Sequence, residues 1–321
     1  MTEPLRLDAV GQAELLRSKK ISPTELVDLA IAAVERVNPQ LNAVIHPRFE
    51  RARNEAKSTP SAKSDSATTD GSFAGVPIVV KDLNCQIKGE PYHLGTRFLK
   101  NRNFVATHDS YLYERLRRAG FIAIGRTNVP EFGSTITTEP LAYGPARNPW
   151  NTEHSTGGSS GGSAATVAAG CVAVAHANDG GGSIRIPASE CGLVGLKPSK
   201  GRVSLGPALG ESWIGGVVEG CVTRSVRDTA AVMDVLSGYE PGDPNTPPLP
   251  ARPYSSEVGA DVGQLRVGVL AGPLLPGGLD HPDARESVMA TGKLLESLGH
   301  HVEVAHPAAL DDATFGDMFL S

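Results

Sequence analysis

Several things are scarce in this 321-residue chain, and each scarcity closes a class of function. Positive charge is not in excess: Lys and Arg number 30 against 35 Asp and Glu, a formal net charge of −5. Neither nucleic acid nor an anionic membrane is therefore offered a general electrostatic footprint. The longest apolar run, residues 164–177, has about fourteen residues broken by Gly170, short of the roughly 20 that span a bilayer. The N-terminal Met-Thr-Glu-Pro-Leu-Arg lacks the basic, then apolar, then small order of a secretory signal. Cys85, Cys171, Cys191 and Cys221 lie far apart, without CxxC or Cys/His metal spacing. They read as free thiols in a reducing cytoplasm, and no metal site is expected. Neither GxxxxGK[ST] nor a GxGxxG following a strand is present, so no nucleotide or other cofactor is called for. No internal repeat is found.

What is abundant is glycine, and the abundance is local. Of 36 Gly, 12 fall in residues 157–206, which marks a site rather than a disordered chain. With 40% hydrophobic and 20% charged residues the chain can bury a sizeable core, read here as a single domain over 1–321. Residues 8–19 suggest an amphipathic helix. Ser22-Pro23-Thr24-Glu25 supplies an N-cap, a Pro at the first helical position and a Glu at N3, followed by an apolar stripe (Leu26, Leu29, Ala30, Ala33, Val34, Val37) up to Pro39. A strand is expected over 41–46 and a helix over 49–57. Residues 58–72, rich in Ser, Thr, Ala and Asp, read as a flexible loop.

From Gly75 the pattern alternates. A strand over 76–80 ends on Lys81-Asp82; Asp109 caps a helix through Leu112 and Leu116 to Gly120; a strand follows over 121–124. A helix over 163–169, a strand over 172–175 and a helix opening at Ser225 come next. Residues 238–253 read as a Gly/Pro-rich surface loop or linker. Residues 265–270, 282–298 and 301–305 give a further βαβ unit, and 311–321 look like the start of an amphipathic helix. Strand, helix, strand implies an α/β fold with a mixed, mostly parallel sheet covered by helices.

Three segments hold candidate chemistry: Gly157-Gly158-Ser159-Ser160-Gly161-Gly162-Ser163, Asp179-Gly180-Gly181-Gly182-Ser183-Ile184-Arg185, and Lys81 at a strand end. Successive glycines at 180–182 let several N–H groups converge on one point, as in an oxyanion hole, and a Ser ending that nest is suited to be a nucleophile. A Ser needs a base. GxSxG through Ser160, with Asp280 and His281 or His300, has an α/β-hydrolase order, but the polar 150–156 stretch is not the hydrophobic strand that launches a nucleophile elbow. His154 and His176, nearest in sequence, read as ordinary hydrogen-bonding residues. Lys81 can be the base if burial holds it neutral. A salt bridge to Asp82 is the alternative, and spacing alone favours it.

The segments Gly75–Asp82, Thr127–Phe132, Arg147–Asn151, GGSSGGSAA from Gly157 and GGGSIRIPASECGLVGLKPSKGRVS from Gly180 together resemble the amidase signature family. The resemblance covers nearly the whole chain and is densest over 75–207; Thr137–Pro140 and Asn148-Pro149-Trp150 are similar to its aminohexanoate cyclic dimer hydrolase branch. It implies a Ser–cis-Ser–Lys triad: Ser183 as nucleophile, Ser159 after a cis peptide bond, Lys81 as base. It further implies oxyanion donors at Gly180, Gly181, Gly182 and Ser183, and an acyl pocket near Phe132, Gly133 and Thr137. Asp179 and Arg185 read as an ion pair clamping the loop.

The implied activity is hydrolysis of a small-molecule amide through an acyl-enzyme. The alternatives are an accessory chain like the glutamyl-tRNA amidotransferase A subunit, or a serine esterase. A homodimer stays open. Family members normally continue well past Ser321, so the chain is expected to be a fragment that lacks the C-terminal part of the sheet, or a truncated product with an exposed sheet edge.

Overall fold

The computed structural model describes residues 2–59, 70–273, 281–312 and 314. By its packing the chain, expected as one domain, falls into two compact units, residues 1–258 and 259–321. In the first, the helices are α1 (Glu3–Arg6), α2 (Ala9–Arg17), α3 (Pro23–Leu41), α4 (Phe49–Ser58), α5 (Arg97–Asn101), α6 (Tyr111–Arg118), α7 (Gly161–Ala168), α8 (Arg185–Cys191) and α9 (Val226–Leu236). The strands are β1 (Val44–Pro47), β2 (Pro77–Lys81), β3 (Ile122–Thr127), β4 (Val174–Asp179), β5 (Val194–Gly195) and β6 (Val218–Thr223).

The sheet runs β1-β3-β2-β4-β6-β5. Pairing is parallel for β2 with β3 and β4, and antiparallel for β1 with β3, β4 with β6 and β5 with β6. Four of the six strands (β2, β3, β4, β5) therefore point the same way, as a mixed, mostly parallel sheet requires. Every residue of β2, β3, β4 and β6 is buried, which needs cover on both faces. Helices α3 and α4 pack on β3, α7 on β2 and β4, and α9 on β6.

Most expected elements form, with instructive shifts. The capping box closes α3: Glu25 N–H donates to Ser22 Oγ at 3.2 Å and Ser22 N–H to Glu25 Oε2 at 2.8 Å. The helix runs through Pro39, which sits in its last turn, and stops at Asn42 in the left-handed conformation (φ 48°). Helix α6 is capped by Ser110, not Asp109: Tyr113 N–H donates to Ser110 Oγ, while Asp109 accepts from Lys88 N–H. Helix α7 begins two residues earlier than expected and includes Gly162, where a Cβ would lie 2.5 Å from Asn128 N just past β3. Strand β4 begins later and runs on through polar His176, Asn178 and Asp179. Strands β5 and β6 and helices α1, α5 and α8 had no counterpart in the sequence reading.

Residues 238–253 carry no helix or strand. Part of the expected 58–72 loop and all but a few residues of the expected 311–321 helix lie outside the described residues. The second unit holds a parallel pair, β7 (Arg266–Gly268) with β8 (His301–Glu303), and the helix α10 (Pro282–Ser297) that follows β7 in the chain. Among the described residues no helix is long and apolar enough to cross a membrane, and no cluster of three metal-ligating side chains occurs.

Candidate active site

The C-terminal end of β2 presents Lys81, and the neighbouring β4 ends on Asp179, so the two expected segments meet where α/β sheets build sites. Lys81 is fully buried. Its Nζ lies 2.7 Å from Ser159 Oγ and 2.6 Å from Asn178 Oδ1. The alternative partner, Asp82, faces elsewhere: its carboxylate accepts from the His93 N–H and sits 3.8 Å from Arg126, while Arg126 donates to the carbonyls of Lys81 and Cys85 and so pins the turn.

Burial pushes the Lys81 ammonium down from about 10.5 to about 7, with the Glu219 and Asp179 carboxylates pulling the other way. An amine so placed is partly neutral at neutral pH and can accept a proton from a hydroxyl 2.7 Å away.

Ser159 is itself 1% exposed and follows a cis Gly158–Ser159 peptide bond. Thr138, part of the Thr137–Pro140 run but given no role by the sequence, holds this loop: its Oγ1 donates to Gly157 O at 3.0 Å and accepts from Gly161 N–H at 3.1 Å. Ser160 is also buried, donating its N–H to Ser183 O and its hydroxyl to Asn178 O, and thereby ties the two serine loops together. That placement removes Ser160 from the GxSxG role; Asp280 lies outside the described residues. His154 is exposed, and His176 is buried in β4.

Ser183 is partly exposed, so an incoming carbonyl can reach it while Lys81 and Ser159 stay shielded. Asp179, with no exposed surface, organises the loop around it. The carboxylate accepts from Gly182 N–H (2.7 Å) and Ile184 N–H (3.1 Å) and takes a two-pronged pair from Arg185 (2.9 and 3.0 Å). Burial raises its pKa, but the Arg185 guanidinium and these N–H groups outweigh it and hold the carboxyl below its usual range. Gly182, expected among the oxyanion donors, thus spends its N–H on Asp179. The N–H groups of Gly180, Gly181 and Ser183 donate to no described residue.

The rim is apolar. Phe132 is 63% exposed on a left-handed backbone (φ 53°), and Trp213 is exposed with its ring against Gly180. Gly133 (φ 69°) packs so close that a Cβ would lie 2.6 Å from Leu83 Cδ2 and 3.1 Å from Ser159 Oγ. Thr137 is half-buried beside the Gly158–Ser159 loop. Asn178, Glu219 and Thr138 are the site residues that sequence reasoning missed. The available signal was polar side chains recurring every second residue in β4, at 176 and 178, where a strand buried on both faces should be apolar.

The Amidase family model matches residues 25–315. The 6-aminohexanoate-cyclic-dimer hydrolases of Paenarthrobacter ureafaciens and of Pseudomonas sp. (strain NK87) are each 47% identical over 311 residues, 96% of this chain and 61% of theirs. A solved structure of 6-aminohexanoate cyclic dimer hydrolase complexed with substrate superposes with a TM-score of 0.92 at 45% identity, over 98% of this chain and 64% of that one. The chain thus spans about three fifths of the length of the curated relatives it matches.

Proposed function

The chain belongs to the amidase signature family, and from that membership we propose that it hydrolyses a carboxylic amide through an acyl-enzyme on Ser183. The observation that carries the reading is the buried Lys81 amine, held near neutrality and 2.7 Å from Ser159 Oγ. Neutral Lys81 takes the proton of Ser159, Ser159 takes that of Ser183, and Ser183 Oγ attacks the amide carbon. The free N–H groups of Gly181 and Ser183, with Gly180 beside them, stabilise the oxyanion. Collapse of the tetrahedral adduct breaks the C–N bond, and the relay returns the proton to the leaving amine. Water then attacks the acyl ester, releasing carboxylate and restoring the Ser183 hydroxyl.

The exposed aromatic faces of Phe132 and Trp213 suit an uncharged segment next to the scissile bond, and we place Phe132, Gly133 and Thr137 along the acyl side. The substrate class is a linear or cyclic amide, and 6-aminohexanoate cyclic dimer, on which the relatives are named to act, is the first compound to assay. Wild-type chain should generate a new primary amine from such a substrate, and Ser183→Ala and Lys81→Ala should each lose at least about a hundredfold in kcat. Turnover within a few fold of wild type in either variant refutes the assignment.

A further inference from the structure

We propose that Glu219, together with the two β4 side chains it holds, His176 and Asn178, is a buried positioning array that orients Lys81 and sets how readily it takes a proton. The inference rests on the reading of Lys81 as the base. The hydrogen bonds close a ring that leaves Lys81 through its backbone and returns through its side chain. The Lys81 backbone N–H donates to His176 Nδ1 at 3.2 Å; His176 Nε2 lies 2.6 Å from Glu219 Oε2; Asn178 Nδ2 donates to Glu219 Oε1 at 3.4 Å; and Asn178 Oδ1 meets Lys81 Nζ at 2.6 Å. Asn84 Nδ2 adds a donor to Glu219 Oε1 at 2.8 Å.

Strand geometry builds this ring. Asn178 and Glu219 are direct cross-strand partners on β4 and β6, and His176 lies two residues before Asn178, on the same face.

The ring also fixes proton positions. His176 Nδ1 accepts from a backbone N–H, so the imidazole is neutral and its Nε2–H donates to Glu219; burial, against the pull of the Glu219 carboxylate, disfavours the imidazolium. Asn178, whose amide donates to Glu219 and to Leu83 O, must turn its carbonyl to Lys81. With that carbonyl taking an N–H of the neutral amine, the Nζ lone pair is left for Ser159.

Glu219 is 1% exposed, and its side-chain partners are the neutral groups of Asn84, Asn178 and His176. A buried carboxylate with neutral partners is costly, and an apolar residue would pack the core as well. Its influence on Lys81 accounts for its presence. The other charged or titratable groups around Lys81 are Asp179 on β4, Arg126 on β3, which donates to the Lys81 carbonyl, and Asp82 beside Arg126; helix α7 contributes only neutral side chains.

The test uses the full chain and two near-isosteric variants that change the charge around Nζ in opposite directions, Glu219→Gln and Asn178→Asp. Two midpoints are read: the titration of Lys81 by NMR of 13Cε-labelled lysine, assigned by loss of the signal in Lys81→Ala, and the acid limb of fluorophosphonate labelling of Ser183. Glu219→Gln should lower both by about a pH unit or more, because it removes a nearby carboxylate that favours the Lys81 ammonium. Asn178→Asp should raise both. If Glu219→Gln does not fold, Glu219→Asp takes its place with a smaller shift of the same sign.

Reduced thermal stability with unmoved midpoints would mean that the array is only structural, and overturns the proposal. Lys81→Ala labelled at the wild-type rate would instead refute Lys81 as base, a separate failure, because the NMR midpoints judge the array without turnover.

Discussion

Replacing Lys81 by methionine removes the ionisable group and keeps the length of the side chain, and the stability of the two proteins should then diverge with pH. In the folded protein Lys81 loses its proton near pH 7, whereas an unfolded lysine does so near 10.5. Between those values the unfolded chain binds one proton more than the native one, so this group makes wild-type stability rise with pH, by up to about 1.4 kcal/mol per pH unit. A shift from 10.5 to about 7 makes the whole rise about 4–5 kcal/mol.

Against it stand the contacts that methionine cannot make. Ser159 Oγ and Asn178 Oδ1 lose Nζ, and leaving buried polar groups unpaired costs about 1–3 kcal/mol each. The balance predicts that Lys81→Met is as stable as wild type or more so at pH 7 and less stable near pH 10. Urea denaturation of both proteins at several pH values between 7 and 10 gives the difference directly, because the buried cysteines and tyrosines titrate alike in both and cancel. A difference that stays constant across this range would refute the claim that burial holds Lys81 neutral.

The remaining predictions concern the loops around it. Asp179→Asn leaves an amide N–H₂ facing donors that now find a carboxylate, so thermal stability should fall by an amount corresponding to about 2–4 kcal/mol and Ser183 labelling should slow at least tenfold; unchanged values would remove the clamp from the account. Its carboxyl is held low in the folded state, so the wild-type contribution persists above about pH 4 and is lost only on acidification below the usual carboxylate value. Gly133→Ala puts a Cβ 2.6 Å from Leu83 Cδ2 and 3.1 Å from Ser159 Oγ on a left-handed backbone, costing about 1–2 kcal/mol in conformation alone, and kinetics should show kcat falling more than stability accounts for. All four cysteines are buried, with burial raising each thiol to about 12, so a thiol reagent should modify none of them in the native chain at pH 8 and all of them in urea.

The parts of this molecule legible in its sequence are those governed by local rules. Ser22-Pro23-Thr24-Glu25 announces α3 because capping needs only neighbours in the chain, and the apolar run 76–80 announces β2 because a strand covered on both faces is apolar throughout. The same rule misplaces β4. His176, Asn178 and Asp179 look like the end of a strand, yet they continue it, because Lys81, Glu219, Arg185 and backbone N–H groups from distant segments satisfy them.

Strand β6 escapes for a related reason: Glu219 and Gly220 interrupt its apolar pattern, and only the fold shows that Glu219 has three donors waiting. Asp109 and Ser110 are both good caps, and the choice between them is made by Lys88, whose N–H occupies Asp109. At the site, Lys81, Ser159 and Ser183 could be named from pattern and resemblance. The diversion of the Gly182 N–H to Asp179 and the tie of Thr138 to the serine loop are properties of three-dimensional packing.

The central claim is that Ser183 is a nucleophile activated through Lys81, and mass spectrometry of the chain after brief exposure to a fluorophosphonate tests it most directly. A single adduct on the Ser183 peptide in wild type, absent in Ser183→Ala and slowed at least a hundredfold in Lys81→Ala, is the predicted result. An adduct on another residue, or equal labelling of Ser183 with and without Lys81, would contradict it.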